Sequence, residues 1–411
     1  MRTMGYDIRQ AYDLLCEQLA QRGIDVEDLK AKLKAQRIET PSWAYADGGT
    51  RFKVFQQPGA AVTIQEKLSD AAQVHKATGI CPKVAVHVLW DFVDVTIDEV
   101  VAYAQSVGVQ IGAINPTVFE QDEYLYGSIA HPDAKVRQKA VEHMLDSVEI
   151  GRKVGSDFLS LWFADGTNYA GMDDFVDRKH RVEDCLKTVY DSMPENMTMG
   201  IEYKLFEPGF YHTDIADWGM ACKFAEKCGP RAKALVDLGH HARGTNIEHI
   251  VSFLIDEGRL GGFHFNNARY ADDDLTFGSV NPYEGFLIYN ELVKAEDKDP
   301  ELKIAYMIDQ SHNVKPKVEA MIQTVEHIQY TYAKALCVDR QRLTQAQAEM
   351  NIVDCENAIT QAFFTDVRPL LHVVREEMGL APEPLSAFRQ SGYAETAAQQ
   401  RGIRSGGGGL G

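Results

Sequence analysis

The sequence predicts a (β/α)8 barrel of the TIM type, preceded by N-terminal helices and followed by an appended C-terminal helical arm. Three observations predict it. Eight short strand-like apolar runs alternate with helical stretches, and such alternation means parallel strands joined by crossover helices. The alternation spans about 290 residues, the length such a barrel needs. The last four runs, TMGIEYK, KALVDLGHH, GGFHFNN and IAYMIDQSH, each close on a carboxylate or an imidazole: Glu202, Asp237, His264 and Asp309. In this barrel the carboxyl ends of all the strands open on one face, where active sites sit. A doubly wound open sheet is the rival fold, but it would gather such residues at one switch point rather than spread them over many strand ends.

The elements follow in chain order. Residues 5–37 read as helices, with Ile8, Tyr12, Leu15 and Leu19 in one apolar stripe broken at Gly23. SWAYADGGTRF (42–52) reads as a strand entering a Gly-rich loop. Strands are then expected at 83–91, 110–119, 157–166, 198–204, 233–241, 261–267 and 304–312, with helices near 62–77, 95–107, 133–153, 172–192, 214–228, 246–257 and 281–296 between them. From 315 to about 378 the pattern is helical with few breakers, too extended for a ninth barrel unit, and the ending RSGGGGLG has the composition of a flexible tail. The expected organisation is an N-terminal helical segment (1–40), the barrel (41–336) and an arm with its tail (337–411), the arm packing on the barrel and on a neighbouring subunit.

Composition narrows the function. A formal net charge of -18 on 411 residues argues against a phosphate backbone or an anionic membrane surface as partner. The seven cysteines are scattered and form no CxxC pair, so neither a disulfide framework nor a thiolate metal site is expected. The N-terminus lacks a signal-peptide core and no apolar run reaches membrane-spanning length. The expectation is a cytoplasmic enzyme with a small-molecule partner, no nucleic acid and no membrane.

The strand-end residues carry the chemistry. Three carboxylates converging in a poorly hydrated site repel one another unless a cation joins them, so Glu202, Asp237, His264 and Asp309 ask for a divalent metal. Oxygen-rich ligation with one imidazole suits manganese, magnesium or cobalt. A second set, His240, Asp272 and Asp274, follows the sixth and seventh strands in DLGHH and ADDD; the bland alternative for an acidic triplet is a solvated loop. Glu202 has the lone pairs to bridge two ions. Asp273 points away if its stretch is extended. Lys204, two residues beyond Glu202, faces the same side and can stabilise charge on a substrate oxygen. Asn266, Asn267 and His241 are candidates for the shell behind the ligands. Trp43, His87, Trp90, Phe119 and Trp162 end the first four strands; each alone reads as core, but together they read as a wall for the C–H face of a sugar. Phe52, in DGGTRFKVFQQPG, is placed to fold over that pocket or a neighbour's.

With these residues in view, the chain resembles the bacterial broad-specificity L-rhamnose isomerases of the xylose-isomerase-like superfamily. The resemblance runs through PSWAYADGGTRF, VHVLWD, YGSIAHPD, LWFADGTN, EYKLFEP, LVDLGHHA, GGFHFNN with ADDDL, MIDQSHN and SGGGGLG. It implies a homotetramer and two divalent ions per subunit, Mn2+ first and Mg2+, Co2+ or Zn2+ as substitutes. One ion would lie on Glu202, Asp237, His264 and Asp309. The other would lie near His240, Asp272 and Asp274 with Glu202 shared. The implied activity is interconversion of L-rhamnose and L-rhamnulose by a metal-assisted 1,2-hydride shift, with L-mannose, L-lyxose and D-allose as further aldoses. Lys204, Asp309 and His240 take the catalytic roles. Asn267-Ala268-Arg269 departs from the family pattern, which bears on sugar preference. The rivals are a single-metal ketose 3-epimerase, a metal-dependent DNA-repair endonuclease and a non-catalytic sugar-binding protein on the same barrel.

Overall fold

A computed structural model describes residues 7–48, 53–207 and 211–404 of the chain. Phe52 and the Gly-rich tail from residue 405 lie outside the described residues. Among these residues, eight parallel strands close into a barrel: Glu39–Pro41, Lys83–His87, Gln110–Asn115, Phe158–Leu161, Thr198–Glu202, Ala232–Asp237, Leu260–Phe265 and Ala305–Ile308. Each pairs with its sequence neighbour, and the last returns to the first through Glu39 opposite Met307. The closed circuit rules out the open doubly wound sheet.

The first strand corrects the sequence reading. It occupies Glu39–Pro41, and Ser42–Tyr45 is a 3-10 turn rather than a strand. The aromatic run has the composition of a strand. However, Pro41 has no N–H to extend the ladder, and the turn lets Trp43 and Tyr45 both bury. The other strands lie within a residue of the expected runs but stop earlier, so that the loaded residues sit at or just past the last ladder position. Asp237 and His264 are direct cross-strand partners. Glu202 stands opposite Leu235, two residues from Asp237 and so on the same face of the sheet.

The crossover helices begin and end where local chemistry dictates. Thr96 and Glu99 form a reciprocal capping box at the start of Ile97–Val107, and Gly108, at φ 86°, closes it in the left-handed region. Buried aliphatic faces of these helices pack on the outside of the barrel. Inside, Trp43, Ala85, Ala113, Phe158, Leu235 and Met307 fill the lumen. The small residues there are steric requirements. A Cβ on Gly200 would lie 2.6 Å from the Phe158 ring, and one on Gly112 would lie 2.2 Å from the Glu39 carboxylate.

The arm continues beyond the expected limit near 378, through Pro384–Gln390 and Tyr393–Arg401. It folds back on the barrel. Arg401 Nη1 pairs with the buried Asp70 at 2.8 Å, and Tyr393 Oη donates to the same carboxylate at 2.6 Å. Asp70 belongs to the first crossover helix, Ile64–Thr78, so the arm is strapped to that helix. No helix of the described residues is long and apolar enough to cross a membrane.

Gly200→Ala should destabilise the protein by about 1–3 kcal/mol in denaturant unfolding. Phe158→Leu in the same chain should recover part of that loss, because the collision is with the ring.

Candidate metal centre

Two groups of ligand-type side chains meet at the carboxyl end of the barrel. Glu202, Asp237, His264 and Asp309 bring four ligand atoms within 4.8 Å of one another, as do Asp237, His240 and Asp272. Ligands on opposite sides of a divalent ion with bonds of about 2.0–2.4 Å stand about 4–5 Å apart, so both groups have the span of a coordination shell. The donor set, carboxylate oxygens with one imidazole per group, suits a hard or borderline ion.

The orientation of each ligand has a local cause. His264 Nδ1 faces Glu202 Oε1 at 3.2 Å, with Asp237 Oδ2 at 3.8 Å and Asp309 Oδ2 at 3.9 Å. Trp43 Nε1 donates to Asp309 Oδ1 at 2.8 Å, which turns the other oxygen inward. Asn266 Nδ2 donates to both oxygens of Asp237 at 3.0 Å and to Asp274 Oδ1 at 3.2 Å. Beyond Asp237 the chain turns at once, Gly239 N–H donating to Asp237 Oδ1 at 2.7 Å. That turn brings His240 back beside its own strand end, Nε2 lying 3.2 Å from Asp272 Oδ1.

The loop after the seventh strand is closed rather than extended. Asn267 and Leu275 pair antiparallel, N–H to O at 2.8 and 2.7 Å, so residues 268–274 fold back over the site instead of running extended. Asp273 accepts from the backbone N–H of Arg269 and Tyr270, and Asp274 adopts φ 44°. Asp237, not Asp274, therefore completes the group with His240 and Asp272, while Asp274 stands behind with Asn266. Asp237 is the residue common to both groups. Glu202, expected as the bridge, still reaches both imidazoles, with Oε1 3.4 Å from His240 Nδ1.

The buried charges of the two groups shift one another strongly. Burial, together with Glu202 and Asp309, pushes Asp237 up to about 7, and burial likewise raises Asp309 and Asp274. Burial alone would depress the imidazoles. The carboxylates outweigh it, raising His240 to about 10 through Asp237 and Asp272, and His264 to about 9 through Glu202. Burial would raise Asp272, yet His240 and Lys204 hold it far below the usual range. Lys204 is buried, with Nζ 2.7 Å from Asp272 and 2.6 Å from Glu207 and 5.0 Å from the centre of the Trp162 ring. Those two carboxylates overcome its burial and raise its pKa.

The aromatic residues form one continuous wall. Ring centroids are 4.9 Å apart for Trp43 and His87, 4.0 Å for His87 and Trp90, 5.9 Å for His87 and Phe119, and 4.9 Å for Phe119 and Trp162. Burial drives the pKa of His87 well down, so its imidazole is neutral. Its Nδ1 lies 3.2 Å from Thr117 Oγ1, and Thr117 N–H donates to His143 at 3.0 Å. Sequence reasoning missed what holds this wall. Asp91, fully buried, takes Lys67 Nζ at 2.6 Å, Ser42 Oγ at 2.5 Å and the His87 N–H at 2.9 Å. The signal was a carboxylate four residues after His87 in HVLWD; its buried partner Lys67 sits in another element and had none. Glu207, the second partner of Lys204, was missed although it lies three residues on, in EYKLFEP.

The comparisons with known proteins agree with this fold. Residues 68–298 match the xylose isomerase-like TIM barrel family, and the chain belongs to it. A probable sugar isomerase of Rhizobium meliloti is 40% identical over 410 residues, covering 97% of this chain and 94% of the relative. One of Mesorhizobium japonicum is 39% identical over 411 residues, covering 98% and 95%. Among solved structures, a D-allulose 3-epimerase from Methylomonas sp. superposes with a TM-score of 0.52 at 10% identity, over 71% of this chain and 96% of that one. A xylose isomerase domain protein from Alicyclobacillus acidocaldarius gives 0.51 at 15% identity, over 73% and 99%. At those identities the likeness is of fold.

Two outcomes are expected. Lys67→Met should cost about 3–5 kcal/mol of unfolding free energy, because Asp91 is left buried without its cation; Asp91→Asn in the same chain should restore part of it. Manganese affinity should rise with pH from about 6 to about 9, since His264, His240 and Asp237 hold protons that an entering ion must displace. Calorimetric titration in buffers of different ionisation enthalpy reads both the affinity and the proton release.

Proposed function

We propose that this chain is a metal-dependent aldose–ketose isomerase acting on L-rhamnose and L-rhamnulose, and on related aldoses such as L-mannose, L-lyxose and D-allose, by a 1,2-hydride shift. The observation that carries the reading is two overlapping ligand groups, joined through Asp237, at the foot of a five-membered aromatic wall. A single-ion enzyme has no use for the second group, nor has a sugar-binding protein. The relatives named probable sugar isomerases support the reaction class.

Glu202, Asp237, His264 and Asp309 would hold one ion. His240 and Asp272 would hold the other with Asp237 or Glu202 shared and Asp274 behind, and manganese suits both. Divalent ions bound there supply Lewis-acid polarisation of the sugar's C1 and C2 oxygens. The chain's own residues do the rest. Trp43, Trp90, Phe119 and Trp162 pack on the C–H face of the open-chain sugar and exclude water. Neutral His87 bonds a chain oxygen. Lys204, held by Asp272 and Glu207, donates to a sugar oxygen as negative charge develops there. Asp309 takes and returns the hydroxyl proton, and His240 takes part in catalysis by holding the second ion. The exposed Met350, Ile352, Val353 and Phe364 on the arm support a homotetramer built through it, and a cytoplasmic setting belongs to the same proposal.

The protein supplied with Mn2+ should convert L-rhamnose to a ketose and stop on EDTA treatment. In deuterated solvent the hydrogen at C2 should be retained; its exchange would point to an enediol route instead. Lys204→Met should lower kcat by about 10²–10³. A ketose substrate converted only to another ketose, with one ion bound per chain, would identify a 3-epimerase.

A further inference from the structure

One buried residue touches both histidines of the DLGHH turn. Tyr203, 1% exposed, lies between Glu202 and Lys204. Its carbonyl oxygen is 3.0 Å from His240 Nδ1, and its hydroxyl is 2.7 Å from His241 Nε2. The two rings of Tyr203 and His241 meet edge to face, with centroids 5.3 Å apart. His241 Nδ1 is in turn 3.5 Å from Leu238 O.

The hydrogen-bond directions are fixed by the partners. A carbonyl only accepts, so His240 Nδ1 carries its proton toward Tyr203 O. That leaves Nε2 as the nitrogen free to give its proton up to an entering ion, and Nε2 is the atom facing Asp272 Oδ1 at 3.2 Å and Asp237 Oδ1 at 3.9 Å. His241 Nδ1 faces a carbonyl as well, so Nε2 accepts from the Tyr203 hydroxyl. Successive histidines thus grip one tyrosine from two sides. His241 is not one of the ligand groups, and its side chain packs away from them against Tyr203.

We propose that Tyr203 and His241 are positioning residues that set the affinity of the second metal group, by clamping the sixth-strand turn so that His240 presents Nε2 to Asp237 and Asp272. The inference rests on the two-ion reading above. The hydroxyl–imidazole bond holds the turn in register with the fifth strand, and that register is what keeps the Tyr203 carbonyl under His240 Nδ1. Without the clamp the His240 ring gains freedom to rotate, and the nitrogen it offers is no longer fixed. The first group depends on it less, because His264 and Asp309 stand on other strands and Glu202 and Asp237 are held in the strand ladder itself.

The experiment is Mn2+ titration of the full-length metal-free chain, followed by calorimetry and by the manganese paramagnetic resonance signal, with thermal unfolding in parallel. In Tyr203→Phe the weaker-filling or stronger-filling class assigned to the second group, identified by its loss in Asp272→Asn, should bind about tenfold or more weakly. The other class should be unchanged. His241→Gln, whose amide oxygen can still accept from Tyr203, should retain most of the affinity, and His241→Leu should not. Equal weakening of both classes with a lowered melting point would reduce the pair to a packing role and overturn the proposal. Unchanged binding in Tyr203→Phe, or identical behaviour of the Gln and Leu variants, would overturn it too. A wild-type chain that takes up no second ion would defeat the two-ion reading itself, and the proposal with it, and is told apart by needing no variant.

Discussion

Mutual repulsion among buried carboxylates is the constraint from which this molecule follows. Glu202, Asp237 and Asp309 are brought within ligand distance of one another with His264 among them. Burial first, and then the neighbouring carboxylates, raise the pKa of Asp237 and Asp309. Like charges in a low-dielectric site persist only where something compensates them. Here compensation comes in part from Lys204 and the imidazoles, and the geometry leaves room for cations to supply the remainder. Strand register, the turn after Asp237 and the folded-back loop 268–274 all serve to keep the charges together.

The opposite wall of the pocket is held by a different interaction. The buried Lys67–Asp91 pair reaches the backbone N–H of His87 and the hydroxyl of Ser42, so one carboxylate fixes the ends of the first two strands where Trp43, His87 and Trp90 stand. A buried pair is poor evidence of added stability but strong evidence of a fixed geometry, since neither partner tolerates loss of the other. The site is thus polar and cation-seeking on strands five to eight and aromatic on strands one to four. That division matches a substrate with oxygens along one edge and C–H groups on its face. The surrounding barrel is common to isomerases and epimerases, so the fold alone says little about which reaction occurs. The ligand count and the aromatic lining carry that information.

The sequence by itself determined the barrel and its open face. Apolar runs long enough for strands, separated by helix-period stretches with caps such as Thr96 and Glu99, have one economical arrangement, and the strand-end rule then assigned Glu202, Asp237, His264 and Asp309 to one place. Those signals are local: each is a residue at the end of a run. The aromatic wall was legible for the same reason. What only the tertiary structure decided lies between elements. The first strand moved upstream because burial of Trp43 and Tyr45 outweighed their strand propensity. Asp237 rather than Asp274 joined His240 and Asp272 because the 267–275 loop closes on itself. Lys67 met Asp91 across a stretch that carries no periodic signal. Periodicity reports which face a residue takes within its own element, whereas pairing of polar groups between elements depends on how loops turn, and that is settled only when the whole chain packs.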